Sequence, residues 1–263
     1  MGMARRYVAI VIGSQALLAG ALAAPRGPAT WSLVVLWAGA QAWVLVGLLA
    51  PRSRSLAAGL WKAAPQPRVA ITFDDGPHPD DTPAILDILD RSGARATFFF
   101  VADRARRHPH LVESAVRRGH QVEAHSDTHP WWFSLAGPGR IRREVRASVA
   151  TLESLAGRRP RFFRPPMGHK NLFLERELAA AGMQLTTWSS RPFDTLRSGA
   201  DGILRAVVSR ALPGGIILLH EGVRRRPGAP SETVAALAGI IEGLRAKGLE
   251  PVTLDGLRSG PWR

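Results

Sequence analysis

From residue 68 onward the chain alternates short apolar runs with longer segments in which apolar residues recur every three to four positions. The runs predict strands over residues 68–73, 95–101, 121–124, 161–163, 184–188, 215–219 and 251–253. The longer period predicts helices over 82–91, 109–118, 138–156, 171–181, 200–211 and 231–247. Phe98-Phe99-Phe100 falls inside the second run and reads as core strand. Strands alternating with helices describe an α/β domain on a parallel sheet. The pattern by itself does not separate a closed barrel from an open doubly wound sheet.

Residues 1–50 are a different material. Residues 7–24 and 31–50 carry no charged side chain, and each approaches the roughly 20 apolar residues that cross a bilayer. Trp31 stands where an interfacial aromatic belt would lie, and residues 25–30 are short and turn-like. The reading is a transmembrane hairpin over 1–50, a linker over 51–67, a catalytic domain over 68–257 and a tail over 258–263. A cleavable signal ending near Ala21-Leu22-Ala23, or a second segment buried against the domain, are the alternatives. Arg5 and Arg6 precede the first span and Arg52 and Arg54 follow the second, against Arg26 alone between them. The positive-inside rule then puts both ends, and the catalytic domain, on the cytoplasmic side of the inner membrane.

The net charge is +14; three arginines and no acids fall in the first 50 residues, so the remainder carries 32 basic against 21 acidic side chains. A basic domain beside a membrane suits anionic headgroups or a phosphorylated substrate. The basic residues are scattered without an aromatic-interleaved patch, which argues against nucleic acid. With no cysteine, disulfides and thiolate chemistry are excluded.

Chemistry concentrates at the ends of the apolar runs. Ile71-Thr72-Phe73-Asp74-Asp75-Gly76-Pro77 ends a strand on two adjacent carboxylates. Neighbours on a strand face opposite ways, but a turn or bulge can bring both into one pocket. Two carboxylates there call for a cation. His125-Ser126-Asp127-Thr128-His129 offers two imidazoles four residues apart, on one face of a helical turn or within a tight loop. One aspartate and two histidines make three ligands with a position left open, as in a catalytic site for zinc, or for cobalt, nickel or manganese. Such an ion acidifies a bound water to a pKa of as little as about 7. Arg164-Pro165-Pro166-Met167-Gly168 and Gly215-Ile216-Ile217-Leu218-Leu219-His220 follow later, again at strand ends, as expected at the C-terminal mouth of a parallel barrel.

In order and wording these motifs resemble the polysaccharide deacetylases, the NodB-like carbohydrate esterase family four, over about residues 68–255. The resemblance implies a distorted (β/α) barrel and metal-dependent removal of an acetyl group from an amino sugar. It implies Asp74 as general base, Asp75, His125 and His129 as metal ligands, His220 as general acid and Arg164 as the tether of the base. It also implies substrate contacts from Pro166, from the backbone N–H of Met167 as oxyanion donor, and from Leu218 in the acetate pocket. Two departures stand out: Met167 replaces an aromatic residue, and Trp188-Ser189-Ser190-Arg191-Pro192-Phe193-Asp194-Thr195 keeps one of two usual aspartates. Asp194 is left to orient His220 or Arg164, while Arg191 either meets an anionic group or points to solvent.

The sequence thus describes a membrane-anchored, divalent-metal-dependent hydrolase of an N-acetylated amino sugar, on a lipid carrier or glycolipid. An O-acetyl esterase or deformylase would use the same groups. A membrane-tethered, non-catalytic sugar- or lipid-binding protein is the reading from another class.

Overall fold

A computed structural model describes residues 3–53, 57–195, 199–223 and 231–257, with the backbone alone for residues 3–8. Two helices come first, α1 (Met3–Ala23) and α2 (Pro28–Leu49), packed together, with Gln41 Nε2 donating to Ser14 Oγ at 2.8 Å. Among the described residues α2 is long and apolar enough to cross a membrane, and α1 supplies a shorter apolar stretch, Ala9–Ala23. Arg54 and the 258–263 tail lie outside the described residues.

The remaining elements are β1 (Arg68–Gly76), α3 (Asp81–Arg91), β2 (Thr97–Phe100), α4 (Ala102–Arg107), α5 (Pro109–Arg117), β3 (Gln121–Ala124), α6 (Pro138–Ala156), β4 (Phe162–Phe163), α7 (Leu174–Ala181), β5 (Gln184–Leu185), α8 (Ala200–Arg210), β6 (Ile216–His220), α9 (Glu232–Ala246) and β7 (Glu250–Val252). The pairings between these strands are parallel, in the order β5-β4-β3-β2-β1-β6, with β7 alongside the start of β1. Past β5 the chain turns to β6: Ser189 N donates to Ile216 O at 2.8 Å and Leu218 N to Ser190 O at 2.9 Å. These bonds curl the sheet into a distorted (β/α) barrel.

Alternation along β1 divides the interior. Val69, Ile71 and Phe73 join Phe98, Phe100, Ile217 and Leu219 in the layer beneath the helices, whereas Ala70 joins Phe99, Ile216 and Leu218 inside the barrel. A strand buried on both faces is what parallel sheets require, which is why β1 reads as an unbroken apolar run. The amphipathic period of α6 buries Ile141, Val145, Val149 and Leu152, and Gly157 ends the helix in the left-handed conformation.

Several sequence expectations shift. The strand expected over 184–188 stops at Leu185, because Thr187 N turns to Leu60 O at 2.7 Å and the following residues pair with β6. Residues 57–62, expected in a linker, pack on the barrel with Ala57 and Leu60 buried. The helix expected from 171 begins at Leu174, since Asn171 Nδ2 is bonded to the carbonyls of Phe133, Ser134 and Ala136. Helix α4 was not expected. His120 is buried edge-on to Phe98 with its Nδ1 accepting from Ala96 N, and burial lowers its pKa to about 4.

Candidate metal and catalytic centre

Asp74 ends the inward-facing series of β1 and sits in register with His220 of β6. In a regular strand Asp75 would point away, into the helical layer. A bulge intervenes: Asp74 pairs with Phe99 and Gly76 with Phe100, leaving Asp75 as the extra residue with φ 70°. That one left-handed residue turns the second carboxylate back to the mouth. Glycine is required next, because a Cβ at Gly76 would lie 2.3 Å from Glu221 Oε1.

The two histidines follow β3, in a tight loop and not a helix. Ser126 and His129 both have positive φ, and Ser126 Oγ accepts from His129 N at 3.0 Å. Asp75 Oδ1 lies 3.1 Å from His129 Nε2 and 3.7 Å from His125 Nε2. One donor atom from each of Asp75, His125 and His129 fits within 4.8 Å of the others. His125 Nδ1 is 2.7 Å from the carbonyl of Arg164; a carbonyl only accepts, so Nδ1 carries the proton and Nε2 keeps its lone pair. Burial, then the neighbouring His129, holds the His125 pKa well below the usual value, so this imidazole is neutral. Asp75 Oδ1 is buried without a hydrogen-bond partner. An orphaned carboxylate oxygen facing two imidazole nitrogens fits a divalent cation.

Around this triad stand Asp74, Arg164, His220 and Asp194. Arg164, fully buried just past β4, donates from Nη1 to Asp74 Oδ1 at 2.6 Å and to Thr72 Oγ1 at 2.8 Å, and from Nη2 to Thr187 O at 3.0 Å. Its guanidinium also lies over the Phe99 ring, 4.1 Å from the centroid. Burial pushes the Asp74 carboxyl above the ordinary range, against the pull of Arg164, which makes it a stronger base than a surface aspartate. Across the mouth, His220 Nδ1 donates to Asp194 Oδ1 at 2.8 Å, while Asp194 Oδ2 accepts from His220 N at 2.7 Å and Thr233 Oγ1 at 3.2 Å. Burial alone would lower the His220 pKa; the bond and charge of Asp194, with Asp74 and Asp75 adding, raise it.

The substrate-contact candidates separate. Met167 is exposed with φ 59° in the turn Pro166–Gly168, whereas Pro166 is buried. Leu218 is buried inside the barrel with Trp188. Arg191 is half-buried, over Trp188 at 5.6 Å and Phe193 at 4.5 Å, so it is a packed side chain and not one pointing freely to solvent. All five non-glycine residues with positive φ among the described residues, Asp75, Ser126, His129, Met167 and Phe193, belong to the mouth loops. Strain of this kind, about 1–3 kcal/mol each, gathers where side chains must be aimed.

Sequence reasoning missed Glu144. Its carboxylate, buried on α6, accepts from the amides of Asp127 and Thr128 at 2.9 Å each and from Thr128 Oγ1 at 2.8 Å. An acid on the apolar face of an amphipathic helix was the available signal. Arg104 was also missed; it donates to the carbonyl of Asp75. It lines, with His78, Arg107 and His108, a cavity of about 340 Å³ that reaches Asp75.

The polysaccharide deacetylase family model matches residues 62–186. A peptidoglycan-N-acetylglucosamine deacetylase of Bacillus cereus is 36% identical over 191 residues, 72% of this chain and 87% of that protein. A chitooligosaccharide deacetylase of Bradyrhizobium is 35% identical over 190 residues, 69% of this chain and 86% of that protein. Among solved structures, a family 4 carbohydrate esterase from Streptomyces lividans in complex with acetate superimposes with a TM-score of 0.64 at 32% identity, covering 72% of this chain and 93% of that one.

Proposed function

The chain belongs to the polysaccharide deacetylase family and is a hydrolase of N-acetylated amino sugars; from that premise we propose that it is a membrane-anchored de-N-acetylase whose amino sugar is carried on a lipid. The observation that carries the reading is the convergence of Asp75, His125 and His129 on one point, with Asp74 and His220 side by side on β1 and β6 above it.

Asp75, His125 and His129 would hold the divalent ion, zinc first for a carboxylate and two imidazoles, with cobalt, nickel or manganese also suited to the set. When bound, the ion supplies a Lewis acid for the acyl oxygen and an acidified water. Asp74, kept in place by Arg164, takes the proton from the attacking water. The backbone N–H of Met167 meets the charge that develops on the acyl oxygen, a donor of the type worth about 3 kcal/mol. His220, its Nδ1 held by Asp194, presents Nε2 to protonate the leaving amine, which departs only as the protonated form. Leu218, beside Trp188, bounds the space for the acetyl methyl, and Arg191 flanks it.

Three features support a lipid-borne substrate at the cytoplasmic face. Helix α2 suits a membrane anchor, the charge of its flanks favours cytoplasmic ends, and the cavity against Asp75 carries Arg104 and Arg107, beside Glu221, as partners for a phosphate. The test is acetate release by metal-loaded full-length protein from lipid-linked and from free N-acetylated sugars. Stoichiometric metal without release from any acylated sugar would leave only a binding protein, and an exclusively periplasmic reporter fused after Arg263 would reverse the orientation.

A further inference from the structure

Hydrogen bonds tie helix α2 and the residues just after it to the loops that form the catalytic mouth. At about 1.5 Å per residue its 22 residues measure about 33 Å, close to the roughly 30 Å of a bilayer's hydrocarbon core, so its C-terminal turn falls at the interface if it spans. That turn does not lead into a loose tether. Leu48 O accepts from Lys170 N at 2.9 Å. The fully buried Lys170 ammonium donates to the carbonyls of Ser53 and, at 3.0 Å, Ala57. Arg52 donates to the carbonyls of Trp188 and Ser189 and lies over the Trp61 ring at 5.1 Å.

The residues so fastened are those of the mouth. Met167 is three residues from Lys170, at most about 10 Å along the chain. Asn171 grips the turn that carries Leu135, and Arg191 lies against both the Trp188 and the Phe193 rings. From these loops four large apolar side chains project into open space: Trp131 and Leu135, each 77% exposed, Met167 at 58% and Phe193 at 45%. Arginines alternate with them, Arg140 over Trp132 and Arg191 over Phe193. Aromatic and apolar side chains interleaved with arginine, next to the end of a spanning helix, match the boundary where acyl chains meet anionic headgroups.

We infer that the rim formed by Trp131, Leu135, Met167 and Phe193 lies in the headgroup layer of the membrane that α2 crosses, so that the catalytic mouth opens on the bilayer surface. This rests on reading α2 as a membrane span, and it deepens the proposal of a lipid-borne substrate: the acetylated sugar is met within a headgroup's depth of its carrier lipid.

The chain has no cysteine, so single-cysteine labelling is clean. Full-length protein carrying Trp131→Cys or Leu135→Cys, labelled with a fluorophore, would be placed in vesicles of phosphatidylcholine and phosphatidylglycerol containing nitroxide-labelled lipid. Val116→Cys on α5, ahead of β3 at the other end of the barrel, is the reference. Quenching at the two rim positions and not at 116 is expected; equal quenching at all three overturns the inference, as does protein that washes off the vesicles. A Trp131→Glu, Leu135→Glu double variant should retain turnover of a soluble N-acetylated oligosaccharide while losing at least about 10-fold on a vesicle-borne substrate. A matching loss on the soluble sugar would make the rim a sugar platform and overturn the inference too. Labelling does not depend on turnover, so an enzyme that releases no acetate from any substrate fails the functional proposal and leaves the quenching result to stand by itself.

Discussion

Asp74 Oδ1 lies 2.6 Å from Arg164 Nη1, and neither side chain reaches solvent beyond a few per cent. The guanidinium is held at the same time by Thr72, Thr187 and the Phe99 ring, a planar set of contacts that an ammonium does not reproduce. Arg164→Lys should therefore lower kcat and lower the Tm in detergent. The stability cost should be below the 3–5 kcal/mol typical of a buried charge left without its partner, because lysine keeps the charge. Asp74→Asn, nearly isosteric, should keep the metal and lose turnover by about 100- to 10,000-fold. Turnover retained in Asp74→Asn would remove this carboxylate from the mechanism.

Metal content tests the triad directly. His125 presents Nε2 because its Nδ1 proton is committed to the Arg164 carbonyl. His125→Ala should fail to retain stoichiometric metal on dialysis, and a strong chelator should reversibly abolish acetate release by the native chain. Full metal occupancy in His125→Ala, read by elemental analysis, would move the ion elsewhere.

The pH profile reports on His220. Asp194 raises its pKa, so the proton needed by the leaving amine is kept to a higher pH than in an isolated imidazole. In Asp194→Asn that charge is gone, His220 loses its proton at lower pH, and the alkaline limb of kcat/KM should move to lower pH along with a reduced plateau. An unmoved limb would mean that another group sets it. His220→Ala should keep the metal and lose about 100- to 10,000-fold in rate.

Glu144 is a test of loop geometry. It holds the amides of Asp127 and Thr128 between the two histidines. Glu144→Ala leaves those donors without their acceptor, at a cost of about 1–3 kcal/mol, and should weaken metal binding by about 10- to 100-fold, the scale for partners that orient ligands. Wild-type metal affinity in a folded Glu144→Ala would show that the loop holds its shape without it.

Legibility differed residue by residue. The extended run 68–73 and the helix 138–156 were plain because each repeats its period over enough residues to register. Helix α4, Ala-Asp-Arg-Ala-Arg-Arg, has too little apolar period to be seen; it forms because Ala102 N and Asp103 N dock on the carbonyls of Ser126 and Asp127. Lys170, an ordinary lysine in sequence, is buried with its ammonium on the carbonyls of Ser53 and Ala57, which only tertiary packing brings to it.

The amino-acid order by itself determined the strand and helix periods, the uncharged N-terminal segments and the presence of one carboxylate pair, three motif-borne imidazoles and an arginine at strand ends. Tertiary structure alone decided that these groups meet. Periodicity records which face of an element is buried over a few residues, whereas the approach of Asp75 to His125 and His129, or of Asp74 to Arg164 and His220, depends on parallel register across strands far apart in the chain. The single bulged residue at 75 completes it, by reversing the direction in which one carboxylate points.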